Sequence, residues 1–181
     1  MLNLIKKITL LLIILFPVTA IAEDFASGDK FDFRKTKWGM TKEQVLKSEE
    51  ISVHDSSETN ILYHTVISQK DAEIEYNFSN GKLTQASYHI NEGYYDPAKH
   101  HDDFVMFEKI LTKKYGKPSF IEKKGVGTES IRKSLSDGVA MSLGYLILTT
   151  KWDLKKTTIA HLVKKSKTNA GTVHSMTYMA K

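Results

Sequence analysis

Two short runs hold the residue types that could do chemistry. His100-His101-Asp102-Asp103 gathers four potential metal ligands or acid–base groups. Neighbouring residues on a helix point about 100° apart, so these four side chains cannot converge on one ion. The i,i+4 histidine pair of a helical zinc site is missing as well. Lys99 and Asp103 instead have the spacing of an ordinary surface pair, and the acids suit the positive end of a helix. Glu73 and Glu75 lie two apart on an alternating segment and so share a strand face. Paired carboxylates can serve a glycosidase, but the same spacing is what a solvated strand face produces.

Other catalytic patterns are missing. The seven histidines and several serines form no Gly-x-Ser-x-Gly elbow and no recognisable triad. Gly125-Val126-Gly127-Thr128 has neither Walker spacing nor its lysine, and reads as part of a mobile loop over residues 123–128. The chain has no cysteine. That excludes a disulfide, a thiolate metal site, a thiol nucleophile and an acylated lipoprotein cysteine. The expectation is a chain without catalytic residues, metal or cofactor.

Binding chemistry is better represented. Lys151, Lys155, Lys156, Lys164, Lys165 and Lys167 face one acid, Asp153, across residues 151–167. Lysines at strand edges discourage aggregation. Gathered on one surface, they would attract an anionic polymer or an acidic partner. Lys151, Lys155, Lys156, Lys164 and Lys165 are therefore the candidate partner-binding residues. Trp38 and Trp152 could anchor a partner, but both read better as core aromatics, with Trp38 packed beside Met40.

The elements that must position these residues begin after a leader. Lys6 and Lys7, the apolar run Ile8 to Val18, Pro17 and Ala20-Ile21-Ala22 read as a secretory signal peptide over residues 1–22, cleaved after Ala22. Its removal takes two lysines and no acid, lowering the formal charge from +5 to +3. The mature chain, 23–181, is then a single domain, soluble in the periplasm or secreted, with no transmembrane span. An exported protein is a poor candidate for binding nucleic acid.

Residues 23–33 read as a loosely attached lead-in. Thr41 and Gln44 have capping-box spacing, and Met40 and Val45 are placed as a hydrophobic staple, so a helix starts at Thr41 and ends near Ser48 or Glu49. Strands are expected at 61–68, 72–78 and 83–90. Asn80-Gly81 marks a hairpin. A three-residue loop that pairs Ile74 with Ala86 and Ala72 with Tyr88 keeps one apolar face continuous, and is preferred over a two-residue loop pairing Ile74 with Ser87. Asp96 and Pro97 open a second helix, which Gly116 and Pro118 stop near residue 115. Phe104, Phe107, Leu111 and Tyr115 line its inner face. Phe120-Ile121 suits a short strand, residues 137–144 a turn or short helix, and 145–152, 157–163 and 172–180 three strands, the last entered through Asn169-Ala170-Gly171.

The fold class expected is α+β, an antiparallel sheet with helices on one face and a two-fold repetition of helix plus three strands. The run Trp38 to Val45, followed by a three-stranded meander, resembles the Gly-Met-Thr-x-x-x-Val helix start of the SmpA/OmlA (BamE-like) and β-lactamase-inhibitor-protein-like group, over about residues 38–90. With Lys114 to Pro118 it also resembles a set of uncharacterised exported bacterial proteins that share a Trp-Gly-Met-[Ser/Thr] start. The resemblance implies a non-catalytic protein-binding module of the cell envelope, with no site residues to carry over. The missing acylated cysteine argues against a membrane-tethered form. The alternatives are a binder of an anionic ligand or envelope polymer through the basic C-terminal hairpins, and an enzyme with an unrecognised site.

Overall fold

The computed structural model describes residues 30–96, 98–168 and 171–181. The leader, its cleavage site, Pro97 and the Asn169-Ala170 part of the last turn lie outside the described residues. The fold is α+β. Helix α1 (Lys42–Ser48) precedes strands β1 (Val53–Ser56), β2 (Asn60–Ile67), β3 (Lys70–Ser79) and β4 (Lys82–Ile90). Helix α2 (Ala98–Tyr115) precedes β5 (Phe120–Gly125). Two short helices, α3 (Glu129–Lys133) and α4 (Asp137–Ser142), lead to β6 (Leu146–Asp153), β7 (Thr157–Lys165) and β8 (Thr172–Ala180). No helix among the described residues is long and apolar enough to cross a membrane.

The strands form one antiparallel sheet in the order β1-β2-β3-β4-β8-β7-β6-β5. Each half is a four-stranded meander. The halves join through their last strands, with Ser87 opposite Thr177 and Tyr88 opposite Met176. The two edges are β1, which the sequence pattern does not announce, and β5, of which it announces only Phe120-Ile121, and all their residues are exposed. An edge strand that buries nothing has no apolar alternation to announce it. Lys123 and Lys124, expected in a mobile loop, pair with Leu148 and Ile147 instead.

The capping box forms as its spacing requires. Gln44 Oε1 accepts from the Thr41 amide at 2.8 Å, and Thr41 Oγ1 accepts from the Gln44 amide at 3.4 Å. The β3–β4 hairpin corrects both registers considered. Its turn has two residues, with φ of 50° at Asn80 and 70° at Gly81. Phe78 faces Leu83, then the register slips by one residue, so that Tyr76 faces Ala86, Ile74 faces Tyr88 and Ala72 faces Ile90. The bulge aligns the two apolar faces without a longer loop.

Helices α1, α2 and α4 bury their inner residues on one side of the sheet. Val45, Phe107 and Leu111 pack with Ile61, Tyr63, Ile74, Tyr76, Tyr88, Trp152 and Tyr178 in the larger core cluster. Phe104, Ala140, Met141, Leu146, Leu148 and Val163 form a smaller one. The lead-in is not loose at its end. Phe33 is 2% exposed, with its ring 4.9–5.5 Å from those of Tyr178, Tyr88 and Tyr76. Arg34 beside it makes three bonds of 3.1–3.2 Å to the buried Glu49 carboxylate, which also accepts from Tyr76. Both tryptophans belong to the core side. Trp38 donates to Thr157 Oγ1 and Trp152 to the Gly116 carbonyl, each at 2.9 Å.

Candidate functional site

The alternation that builds the core leaves a second face. On β3, Ala72, Ile74, Tyr76 and Phe78 point to the helices, so Glu73, Glu75 and Asn77 point away. Cross-strand pairing extends this open face as rows. One row runs Leu62, Glu75, Ser87, Thr177, Ala160, Lys151, Phe120. The next runs His64, Glu73, His89, Ser175, Leu162, Thr149, Glu122. At the joint between the halves the first row sets two small hydroxyl residues, Ser87 and Thr177, side by side, and the second sets Ser175 opposite His89. Ser87 is 1% exposed and donates to Thr177 Oγ1 at 3.2 Å. Toward either edge the side chains are larger.

The β1–β4 half of this face holds three of the seven histidines. His64 Nδ1 lies 3.6 Å from Glu73 Oε1, and His89 Nε2 lies 3.1 Å from Glu75 Oε2. Each carboxylate of the Glu73/Glu75 pair thus has an imidazole partner. The ring of His54, from β1, lies tilted against that of His64, with centroids 3.7 Å apart. Ligand atoms of His54, His64 and Glu73 all lie within 4.8 Å of one another. The sequence singled out neither these histidines nor any metal set. Finding the group needs the β1–β2 register, and the only signal in the chain is that His64 and Glu73 sit symmetrically about the Ser68-Gln69 turn.

The histidine run expected on a helix behaves as its geometry dictates, with one correction. His100 packs against the Tyr94 ring at 4.9 Å. His101 turns toward Asp137, 3.7 Å away. Asp103 does not form a surface pair with Lys99. It is 6% exposed, 3.1 Å from Lys70 Nζ of β3, and accepts from the Tyr94 hydroxyl at 2.5 Å. The Tyr94 bond, then the Asp103 carboxylate, hold Lys70 firmly protonated. Lys99 lies over the Tyr94 ring instead, 5.7 Å from its centroid.

A second histidine pair was also missed. His161 of β7 and His174 of β8 face the core, 0% and 3% exposed, with their Nε2 atoms 2.9 Å apart. The His161 ring stacks on Phe104 at 4.2 Å. Neither Nδ1 has a hydrogen-bond partner. Burial pushes both imidazoles down, His174 to about 3 and His161 well below its usual range, so both are neutral and one donates to the other.

The five candidate lysines do not converge. Lys155 and Lys156 sit at the β6–β7 turn, Lys164 and Lys165 at the far end of β7, and Lys151 on β6 opposite Ala160. The two ends of β7 are roughly 26 Å apart at 3.3 Å per residue. Gly125 closes β5 rather than opening a phosphate loop. A shallow groove of about 480 Å³ between α2 and β5 is lined by Glu108, Lys109, Thr112, Lys113, Pro118 and Ile121. No protein-family model, no curated protein and no solved structure matches the chain.

Proposed function

We propose that the chain is a non-catalytic protein-interaction module of the bacterial cell envelope, receiving a folded partner protein on the open face of its sheet. The observation that carries this reading is that the helices contributing to the core all pack on one side of eight strands. The other side keeps Leu62, Val66, Ile147, Leu162 and Met179 at least partly in solvent. Eight strands about 4.8 Å apart and about eight residues long span roughly 34 by 26 Å. That area is close to the ~800 Å² each partner contributes to a standard interface. Small hydroxyls in the middle with larger apolar side chains around them suit a protuberance of a folded protein better than a small molecule. The leader-like N-terminus supports the compartment, and the Trp38–Val45 resemblance supports the mode of action.

A photo-crosslinking residue at Thr177, in the middle of the open face, tests this in cells. The same residue at Lys113, exposed on α2, is the control. A discrete adduct with one protein from position 177 and none from 113 is the expected result. Adducts from 113 alone, or none from 177, would overturn the reading.

A further inference from the structure

We propose that His54, His64 and Glu73 form a binding site for a divalent transition-metal ion of the zinc type at the β1 edge of the open face. The three residues come from three different strands, so their meeting is a product of the fold and not of sequence neighbours. Their ligand atoms lie within 4.8 Å of one another. A tetrahedral zinc site with bonds of about 2.0–2.1 Å holds its ligand atoms roughly 3.3 Å apart. The gap between the two is small, and all three side chains are exposed or half-buried, so rotation of the side chains alone closes it.

The backbone at His54 is shaped for this meeting. Val53 faces Tyr63 and Asp55 faces Leu62, so β1 bulges at His54, which has no partner of its own on β2. A bulge at a sheet edge re-aims a side chain. Here it brings the His54 ring onto His64, 3.7 Å between centroids. Two imidazoles held in tilted contact beside a carboxylate gain little from each other in water. A metal ion bound by one nitrogen of each and by Glu73 would satisfy all three. Two nitrogens and one oxygen suit zinc, nickel or copper, and do not suit magnesium or calcium, which require oxygen ligands. Three protein ligands leave a further position for water. His89, opposite Glu73 on β4, is paired at 3.1 Å with Glu75 of the adjacent row, and the two flank the site without completing it.

The inference is independent of the partner reading, because it concerns an ion and is tested without any partner. The full chain, stripped with a chelator, is titrated with zinc chloride by calorimetry while the histidine side-chain resonances are followed by NMR. The expected result is one ion per chain, with the His54 and His64 signals moving together and His89, His100 and His101 unmoved. His64→Ala and Glu73→Gln each lower the affinity at least about tenfold, His101→Ala leaves it unchanged, and magnesium produces no heat. Circular dichroism of each variant confirms that the sheet is intact. No saturable one-to-one binding, or an affinity that falls as much in His101→Ala as in His64→Ala, would overturn the proposal.

Discussion

His54 and His64 meet at the edge of the sheet on its open face, beside Glu73. His161 and His174 meet on interior strands on the opposite face, beneath Phe104. Both pairs join two imidazoles from neighbouring strands, with ring centroids 3.7 and 5.1 Å apart. What differs is access to water and to a carboxylate. On the core face, burial removes the proton and leaves each ring with a single hydrogen bond, to the other ring. On the open face the rings keep exposed nitrogens and a nearby anion, which are the requirements of a ligand set. On the core face Arg34, Glu49 and Tyr76 form a closed set. On the open face the His54, His64 and Glu73 group stays accessible from outside the chain.

The largest effect expected from this contrast comes from opening the most complete closed set. Arg34→Ala would strand Glu49, whose side chain is 1% exposed, as an uncompensated buried charge. Breaking a buried pair in this way costs about 3–5 kcal/mol. It would also release the segment that carries Phe33 into the core. Urea unfolding at neutral pH measures the loss. A cost below about 1 kcal/mol would mean that Glu49 finds water or takes a proton, and that the core face is wetter than its burial indicates.

Next comes the histidine pair beneath Phe104. His174→Leu would leave His161 without its hydrogen bond, at a cost of about 1–3 kcal/mol. His161→Leu should behave alike. The double variant should cost less than the sum of the two, because no polar group is then left unpaired. The same pair sets a pH dependence. Both imidazoles titrate far lower in the fold than the ordinary value of about 6.5, His174 at about 3. Below about pH 6.5 the unfolded chain therefore takes up protons that the folded chain refuses. Stability falls as pH drops below that value, with both histidines contributing in the same direction. Above pH 6.5 the pair adds no slope. Comparing unfolding at pH 7.5 and pH 5 in the parent and the double variant isolates this contribution from that of the carboxylates. An unchanged slope in the double variant would contradict the assignment of both rings as neutral.

Legibility from sequence divides along the same line between the faces. Elements with an inward stripe were readable. Phe104, Phe107 and Leu111 give α2 its face, Ala72, Ile74, Tyr76 and Phe78 give β3 its own, and Thr41 with Gln44 fixes the start of α1. Asn80-Gly81 marks its turn because both residues adopt positive φ. Of the edge strands that bury nothing, β5 was readable only at Phe120-Ile121 and β1 not at all. Val53-His54-Asp55-Ser56 shows neither alternation nor β-branched enrichment, and it is the strand that supplies His54. The buried pair has a different obstacle. His161 occupies the inward position of an alternating strand, but its partner lies 13 residues away and is fixed by the β7–β8 register. Both histidine groups are properties of strand pairing, which residue spacing within one segment does not contain.

The smallest effect tests the open face. Without metal, His64→Ala and Glu73→Gln should change stability by no more than about 0.5 kcal/mol, as surface substitutions away from closed sets do. Each removes one member of a half-exposed pair at 3.6 Å, and such pairs contribute little in water. Zinc should separate these variants from the parent. An ion that binds only the folded chain stabilises it by about 2.7 kcal/mol at a hundred times its dissociation constant. Thermal melts with and without zinc should therefore diverge clearly for the parent and by about half as much or less for both variants. His161→Leu/His174→Leu, on the other face, should keep the full zinc response, because its histidines reach neither solvent nor the β1 edge. If zinc shifts that double variant less than the parent, the two faces are coupled through the sheet, and the contrast between them is not one of exposure alone.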